Sequence, residues 1–283
     1  MSDYGLTDEF VGVVKSVIRS LAPEVVVIDV CHEIAPHDVR AGGLTLARAA
    51  QYLAPGVALA VVDPGVGTDR RPVAVEVGDG DSVLVGPDNG LLAPAVAMVG
   101  GATRAFVLDN TDYHLPAPGP TFAGRDVFAP VAAHLCNGVE PSELGTEIEP
   151  VTLLPGILPV SRMEEGGLAT EVLWVDRFGN AQLNVDPDEL DGWGDRIRVR
   201  TGEQTRTARR VVTYDDLHTG EVGLVVDSYG LVSLAVPRGS AAAVLRIDAG
   251  SAVTLEPPDS DAATDADAAG IDVDVELRRG NGR

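Results

Sequence analysis

The sequence has very little lysine, cysteine or aromatic side chain, and its basic residues are far outnumbered by acids. Lys15 is the single lysine, and 43 Asp and Glu against 21 Lys and Arg give a formal net charge of −22. Nucleic-acid binding needs a basic surface, so this composition excludes a phosphate backbone as partner. Concentrated salt screens repulsion on such an acidic surface, and we therefore expect a halophilic source.

Long apolar runs and cysteine pairs are also absent from the sequence. No run of about 18 apolar residues occurs, which predicts no membrane-spanning helix and no membrane partner. The polar start does not resemble a signal peptide. Cys31 and Cys136 are too few for a disulfide framework and lack the spacing of a metal site. Two reduced thiols in a cytoplasmic protein without a bound metal are therefore expected.

The first part of the chain alternates helical and strand patterns. Helical periodicity covers residues 9–21, with Thr7 or Asp8 as N-cap, while apolar runs at 25–30 and 57–62 predict buried strands. This alternation predicts an α/β domain with a mainly parallel sheet over residues 1–155. No strand precedes Asp3, so we expect the true start of the protein to lie upstream of Met1.

The sequence pattern changes in the second part of the chain. Residues 156–167 are linker-like, and 168–256 show short strands separated by turns, which predicts a small all-β, barrel-like domain. Residues 257–283 are rich in Asp, Ala and Gly and predict a disordered acidic tail.

The stretch from Ala60 to Arg71 carries the clearest chemical signal. An apolar strand ends at Asp63, and the turn that follows is rich in Pro and Gly. Open α/β sheets place ligands at such carboxyl ends of strands. Arg70 and Arg71 follow closely enough for the loop to return a guanidinium to Asp63. Taken alone, the stretch fits an ordinary turn with solvated charges equally well.

Six motifs occur in one order along the chain: Asp3-Tyr4-Gly5-x-x-Asp8-x-Phe10-Val11-Gly12, Ile28-Asp29-Val30-x-His32-Glu33-Ile34, Val62-Asp63-Pro64-Gly65-Val66-Gly67-Thr68-x-Arg70-Arg71, Gly86-Pro87-Asp88-Asn89-Gly90-Leu91-Leu92, Thr121-Phe122-x-Gly124-Arg125-Asp126-x-Phe128-Ala129-Pro130 and Asp176-Arg177-Phe178-Gly179-Asn180. Together they resemble the S-adenosylmethionine (SAM) hydroxide adenosyltransferases, which are adenosine-forming SAM hydrolases related to the SAM-dependent fluorinase and chlorinase. The resemblance covers roughly residues 3–250.

The resemblance implies displacement at C5′ of SAM, in its (R)-sulfonium form, by water, with release of adenosine and methionine. SAM is then the substrate, and no separate cofactor is expected. It also implies a homotrimer whose sites lie between subunits. Asp63 and Arg70 match two members of an Asp–Arg–His set that positions the water. The substrate-binding positions that it implies are Asp3, Phe122, Phe178, Asn180 and Ser228.

The same motifs bear on the choice of nucleophile. In the related halogenases a tyrosine stands at the position of Asp63, and the fluorinase has a halide-binding hydroxyl at the position of Val66. A carboxylate repels halide and suits water, so hydrolysis is favoured over formation of an adenosyl halide. Phe122 and Phe178 offer ring faces to a sulfonium, although buried aromatic side chains more often belong to a core.

Ala123 departs from the family pattern, in which hydrolases usually carry His at this position. Three explanations stay open: a variant that works with Asp63 and Arg70, an inactive form, or a site where water replaces the imidazole. A SAM- or adenosine-binding protein without catalysis is therefore the second class of function. His32 and His37 form no metal pattern with Cys31, and His114, His134 and His218 receive no role.

Overall fold

The computed structural model describes residues 1–164, 166–202 and 204–258. Contacts divide the chain into a unit of Met1–Val160 and a second unit that begins at Ser161. The domain limits 1–155 and 168–256, with a linker at 156–167, stay predictions. The predicted acidic tail at 257–283 lies, after its first two residues, outside the described residues.

The first unit is an α/β structure, as the alternating patterns predict. Its helices and strands, in chain order, are α1 (Phe10–Leu21), α2 (Val39–Ala50), β1 (Val57–Leu59), β2 (Pro72–Val77), β3 (Ser82–Pro87), α3 (Ala93–Met98), β4 (Ala102–Val107), α4 (Ala129–Cys136) and β5 (Thr146–Ile148). A π-helical turn at Gly124–Phe128 leads into α4. Helix α1 has Glu9 at its N-cap without a side-chain cap, so the predicted cap at Thr7 or Asp8 is wrong. Within the described ranges, no helix has the length and apolarity that crossing a bilayer requires.

The five-stranded sheet of this unit is mixed, which corrects the expectation of a mainly parallel sheet. Its order is β1-β3-β2-β4-β5. Strands β1 and β3 are parallel, whereas β2 is antiparallel to both β3 and β4, and β4 is antiparallel to β5. The reason is local: β2 and β3 are joined by the tight turn at Gly78–Gly80, so they pair as a hairpin.

The segment 25–30, predicted as a buried strand, is instead extended chain outside the named strands. Val26 is 82% exposed and Ile28 is 73% exposed. The first two residues pass beside it: the Ser2 backbone N–H donates to the Cys31 carbonyl at 3.0 Å, and the Met1 carbonyl accepts from the Val61 N–H at 3.0 Å. The apolar pattern was that of a buried strand, but burial also requires neighbouring strands, which sequence periodicity cannot supply.

The core of the first unit lies on both faces of the sheet. Alternation along β2 places Val73 and Val75 in one apolar cluster, and Ala74 in another on the opposite face. The first cluster includes Leu46 of α2, and the second includes Val131 of α4. Burial on both faces explains why these strands read as continuous apolar runs.

The second unit is a closed β-barrel, which confirms the predicted all-β, barrel-like class. Its elements are β6 (Arg162–Glu164), β7 (Gly167–Val175), β8 (Ala181–Leu183), β9 (Arg196–Thr201), β10 (Gln204–Val211), β11 (Val222–Val226), β12 (Val232–Ala235), α5 (Ala241–Leu245) and β13 (Ala252–Glu256). The sheet order is β13-β9-β10-β11-β12-β8-β7-β6, and pairing of β13 with β7 closes the ring. The short helix α5 has no counterpart in the predicted pattern.

Candidate active site

Asp63 and Arg70 form a close ion pair at the carboxyl end of the segment that continues β1. Arg70 Nε donates to Asp63 Oδ1 at 2.8 Å and to Oδ2 at 2.9 Å, and Nη2 also contacts Oδ2. Only 5% of the Asp63 side chain and 13% of the Arg70 side chain are exposed. The return of a guanidinium to Asp63, which the loop length predicts, is confirmed. A fork of two nitrogens fixes the direction of the carboxylate.

The loop between the two residues has the local chemistry that this return requires. The Val66 N–H donates to the Asp63 carbonyl at 3.2 Å, and Thr68 Oγ1 donates to the Gly65 carbonyl at 2.6 Å. Gly67 has φ of +79°, where a side chain would be strained. The loop therefore turns twice within a few residues and presents Arg70 beside Asp63.

The neighbouring loop at Asp88 and Asn89 holds the same strand end in place. Asn89 Nδ2 donates to the Val62 carbonyl at 2.9 Å. Arg71 does not reach Asp63 but donates from Nε to Asp88 Oδ2 at 2.9 Å. Asp88 also accepts from the Leu154 N–H at 2.8 Å. Asp88 and Asn89 therefore form a turn that supports the strand end.

Asp3 lies at the start of the chain beside the same strand end. Its Oδ2 accepts a hydrogen bond from the His37 backbone N–H at 2.9 Å. Burial raises the pKa of the neighbouring Tyr4 well above its ordinary value, and the charges of Asp3 and Asp63 raise it further. The Tyr4 phenol therefore stays protonated at neutral pH.

The aromatic rings of Tyr4, Phe10 and Phe122 pack together as a cluster of three. The Tyr4 centroid lies 5.7 Å from those of Phe10 and Phe122, and the Phe10 and Phe122 centroids are 5.1 Å apart. The Arg125 guanidinium carbon lies 5.1 Å from the Phe122 centroid and pairs with Asp126. Phe122 is thus fixed within a ring cluster, and its predicted contact with a sulfonium stays a prediction.

Close packing also explains the glycine that follows Ala123. A Cβ on Gly124 would lie 2.3 Å from the Tyr4 hydroxyl oxygen. Only a residue without a side chain lets Tyr4 approach this turn so closely.

In the second unit, Asp176 shapes the turn that carries Phe178 and Asn180. Asp176 Oδ1 accepts from the Phe178 and Asn180 N–H groups at 2.8 and 2.9 Å, and Oδ2 accepts from Asn180 Nδ2 at 2.8 Å. Gly179 closes the turn with φ of +85°. The Phe178 side chain is left 79% exposed. A rigid turn therefore holds an aromatic ring outward from the barrel.

Asp227 shapes the turn of Ser228 in the same way. Its Oδ1 accepts from the Tyr229 N–H at 2.8 Å, and Gly230 closes the turn with φ of +83°. Asp227 Oδ2 accepts from Gln182 Nε2 at 2.6 Å. In the antiparallel order β11-β12-β8-β7, the turn after β7 and the turn after β11 lie at opposite ends of these short strands. Phe178 and Asn180 share one turn, and Ser228 belongs to a separate turn of this unit.

The predicted site residues thus form two groups, one on each unit. The first contains Asp3, Asp63, Arg70 and Phe122, and the second contains Phe178, Asn180 and Ser228. Sequence reasoning missed the shaping residues Asp176 and Asp227. A signal was present, since both start an Asp-x-aromatic-Gly turn, in which the Asp side chain accepts backbone N–H bonds. Among the described residues, no cluster of three or more His, Cys, Asp or Glu side chains has metal-binding geometry.

Comparison with known proteins gives a consistent result. Residues 1–145 match the model of the SAM hydroxide adenosyltransferase N-terminal domain, and residues 170–254 match that of the C-terminal domain. The chain is 45% identical to a protein of Salinispora tropica named (R)-S-adenosyl-L-methionine hydrolase, over 88% of this chain and 93% of that one. It is 28% identical to a fluorinase of Actinopolyspora mzabensis, over 90% and 95% of the two chains. An uncharacterized conserved protein from Thermotoga maritima has a crystal structure that superposes with a TM-score of 0.83 at 33% identity, covering 90% of this chain and 98% of that one.

Proposed function

Because the chain belongs to the SAM hydroxide adenosyltransferase family, we propose that it is an enzyme that hydrolyses S-adenosyl-L-methionine to adenosine and L-methionine. The observation that carries this is the buried carboxylate of Asp63, held by Arg70 at a strand end. The 45% identical relative is named for the (R) form of the substrate, and we extend that preference to this chain. Identity to the fluorinase is lower, at 28%, which favours water over halide as the nucleophile.

The leaving group of this displacement needs no protonation. As the water oxygen bonds to C5′, the C5′–S bond breaks and its electron pair returns to sulfur, which leaves as a neutral thioether. No acid is needed at sulfur. A water proton is lost at the same time, and with a water pKa of about 15.7 a carboxylate cannot remove it beforehand. Asp63 therefore orients the water and accepts its proton late, as the C–O bond forms.

Arg70 orients this carboxylate. Two guanidinium nitrogens contact Asp63, so rotation of the carboxylate is restricted. Asp3 is proposed to bind the ribose, with His37 fixing one of its oxygens. Phe122, Phe178, Asn180 and Ser228 are proposed to bind the adenine and methionine parts, with no cofactor besides the substrate.

The decisive experiment supplies purified protein with (R)- and (S)-SAM in high salt, with chloride varied against sulfate. Adenosine that forms independently of chloride, faster from the (R) form, supports the proposal. Chlorinated adenosine would assign the chain to the halogenases. Intact SAM that stays bound without any product would leave a binding protein in which Ala123 has cost the activity.

We further propose that the protein acts as a homotrimer with sites between subunits, in the cytoplasm of a halophile. The exposed ring of Phe178 supports an assembly that covers it, and the two free cysteines suit a reducing compartment. Light scattering should give three times the mass of one chain in concentrated salt. The net charge of −22 should make melting temperature rise with salt concentration.

A further inference from the structure

A cavity of about 480 Å³ lies behind Arg70 in the first unit. One wall is the Gly67–Arg70 loop, a second is the turn with Ala123 and Asp126, and a third is the segment that carries His114. The Leu115 N–H donates to the Asp126 carbonyl at 2.8 Å, which fixes the third wall against the second. The cavity therefore has defined walls, and the small side chain of Ala123 leaves it open.

The charged groups of this cavity are committed to partners. Arg70 is paired with Asp63 through Nε and Nη2, and Asp126 is paired with Arg125 at 2.6 and 2.9 Å. Arg70 Nη1, by contrast, has no hydrogen bond within the described residues, and it belongs to a side chain that lines the cavity.

His114 is the exception among the titratable groups of the lining. Its Nε2 is buried and has no hydrogen-bond partner in the described part of the chain. A buried polar atom without a partner is costly, and a water in a polar cavity is the usual way to satisfy it. Burial lowers the pKa of His114, against the opposing charge of Asp109, so the ring is neutral and one nitrogen is an acceptor.

We propose that His114 is a positioning residue of the site: its Nε2 accepts a hydrogen bond, through water in this cavity, from the Arg70 guanidinium that holds Asp63. Arg70 is then fixed on two sides, by Asp63 in front and by the water-bridged imidazole behind. This inference rests on the proposed function. It gives a role to a histidine that no sequence motif singles out.

The test compares four proteins by adenosine formation and by melting temperature: wild type, His114→Ala, the double variant His114→Ala/Ala123→His, and the control His218→Ala in the other unit. Loss of a partner that orients a functional group costs about 10- to 100-fold. We expect that loss in kcat for His114→Ala, with KM changed less than about two-fold because substrate contacts remain. Ala123→His adds an imidazole to the same cavity and should restore most of kcat.

The outcomes distinguish failure of the proposed function from failure of the role inferred for His114. No adenosine from wild type would overturn the proposed function and this inference with it. An active wild type and a folded His114→Ala variant of equal kcat would overturn the inference alone. A slow His114→Ala variant that Ala123→His does not restore would show that His114 only supports the fold. The His218→Ala control should match wild type in both measurements.

Discussion

Removal of Arg70 should show how strongly the site depends on one ion pair. Only 5% of the Asp63 side chain is exposed, and Arg70 is its cationic partner. Arg70→Ala leaves a buried carboxylate uncompensated, which costs about 3–5 kcal/mol. A loss of about 3 kcal/mol lowers the melting temperature by roughly 6–12 °C in a protein of this size.

A double-mutant cycle isolates this effect from loss of the arginine stem. Asp63→Asn keeps the shape of the carboxylate and removes its charge. Asp63→Asn/Arg70→Ala should therefore be more stable than Arg70→Ala alone, with a coupling energy above about 1 kcal/mol. Denaturation in urea measures all three variants. Stability losses that simply add, without coupling, would refute the argument that burial makes this pair strong.

Arg104→Ala is a matched control in the same unit. Arg104 also binds a carboxylate with two nitrogens, at 3.0 and 2.9 Å from Glu147, but 39% and 54% of these side chains are exposed. A solvated pair contributes about 0–1 kcal/mol, so this variant should lose little stability and keep its activity.

Adenosine formation should fall about 10²- to 10⁴-fold in Asp63→Asn, because the carboxylate that orients the water and accepts its proton is gone.

Three further predictions concern the surroundings of the site. Gly124→Ala should lower the free energy of unfolding by about 1–3 kcal/mol and reduce activity, because the added Cβ would lie 2.3 Å from the Tyr4 hydroxyl oxygen. The control Gly119→Ala places its Cβ in open space, so it should resemble wild type in melting and adenosine assays. Asp176→Ala removes the acceptor of three hydrogen bonds, so KM should rise and limited proteolysis should cut the turn that follows β7; unchanged KM and cleavage would contradict this role. Since burial lowers the pKa of His114, its neutral form persists as pH falls past 6.5, and kcat should decline only at lower pH; a decline in kcat already centred above pH 6.5 would contradict this.

Much of the fold follows from periodicity and turn chemistry. The β2–β3 hairpin joins two apolar runs across a Gly-rich turn, which is a local pattern, and the barrel was predicted from short strands separated by turns. The parallel or antiparallel sense of the other pairs was not predictable, because strand partners are distant in sequence. β4 joins the free edge of β2, a choice set by packing of the whole sheet.

The site was predictable to a similar degree. The short loop from Asp63 to Arg70 made their contact a local problem, which sequence spacing could solve. His114 was not identifiable, since its significance comes from a cavity whose walls are far apart in sequence. The same is true of Tyr4, whose contact with Gly124 joins the first residues of the chain to a turn much later in it.

The exposed segment 25–30 has a practical consequence for work with the isolated chain. Six residues of high strand propensity, with Val26 and Ile28 open to water, are a template for intermolecular sheets. Asp29 is the one charge within the segment, and its hydrogen bonds with Lys15 and His32 lower the pKa of its carboxyl. That charge works as a gatekeeper against aggregation and is retained into mildly acidic buffers. Turbidity should therefore develop first at high protein concentration and strongly acidic pH. The protein is best stored at low protein concentration and neutral pH.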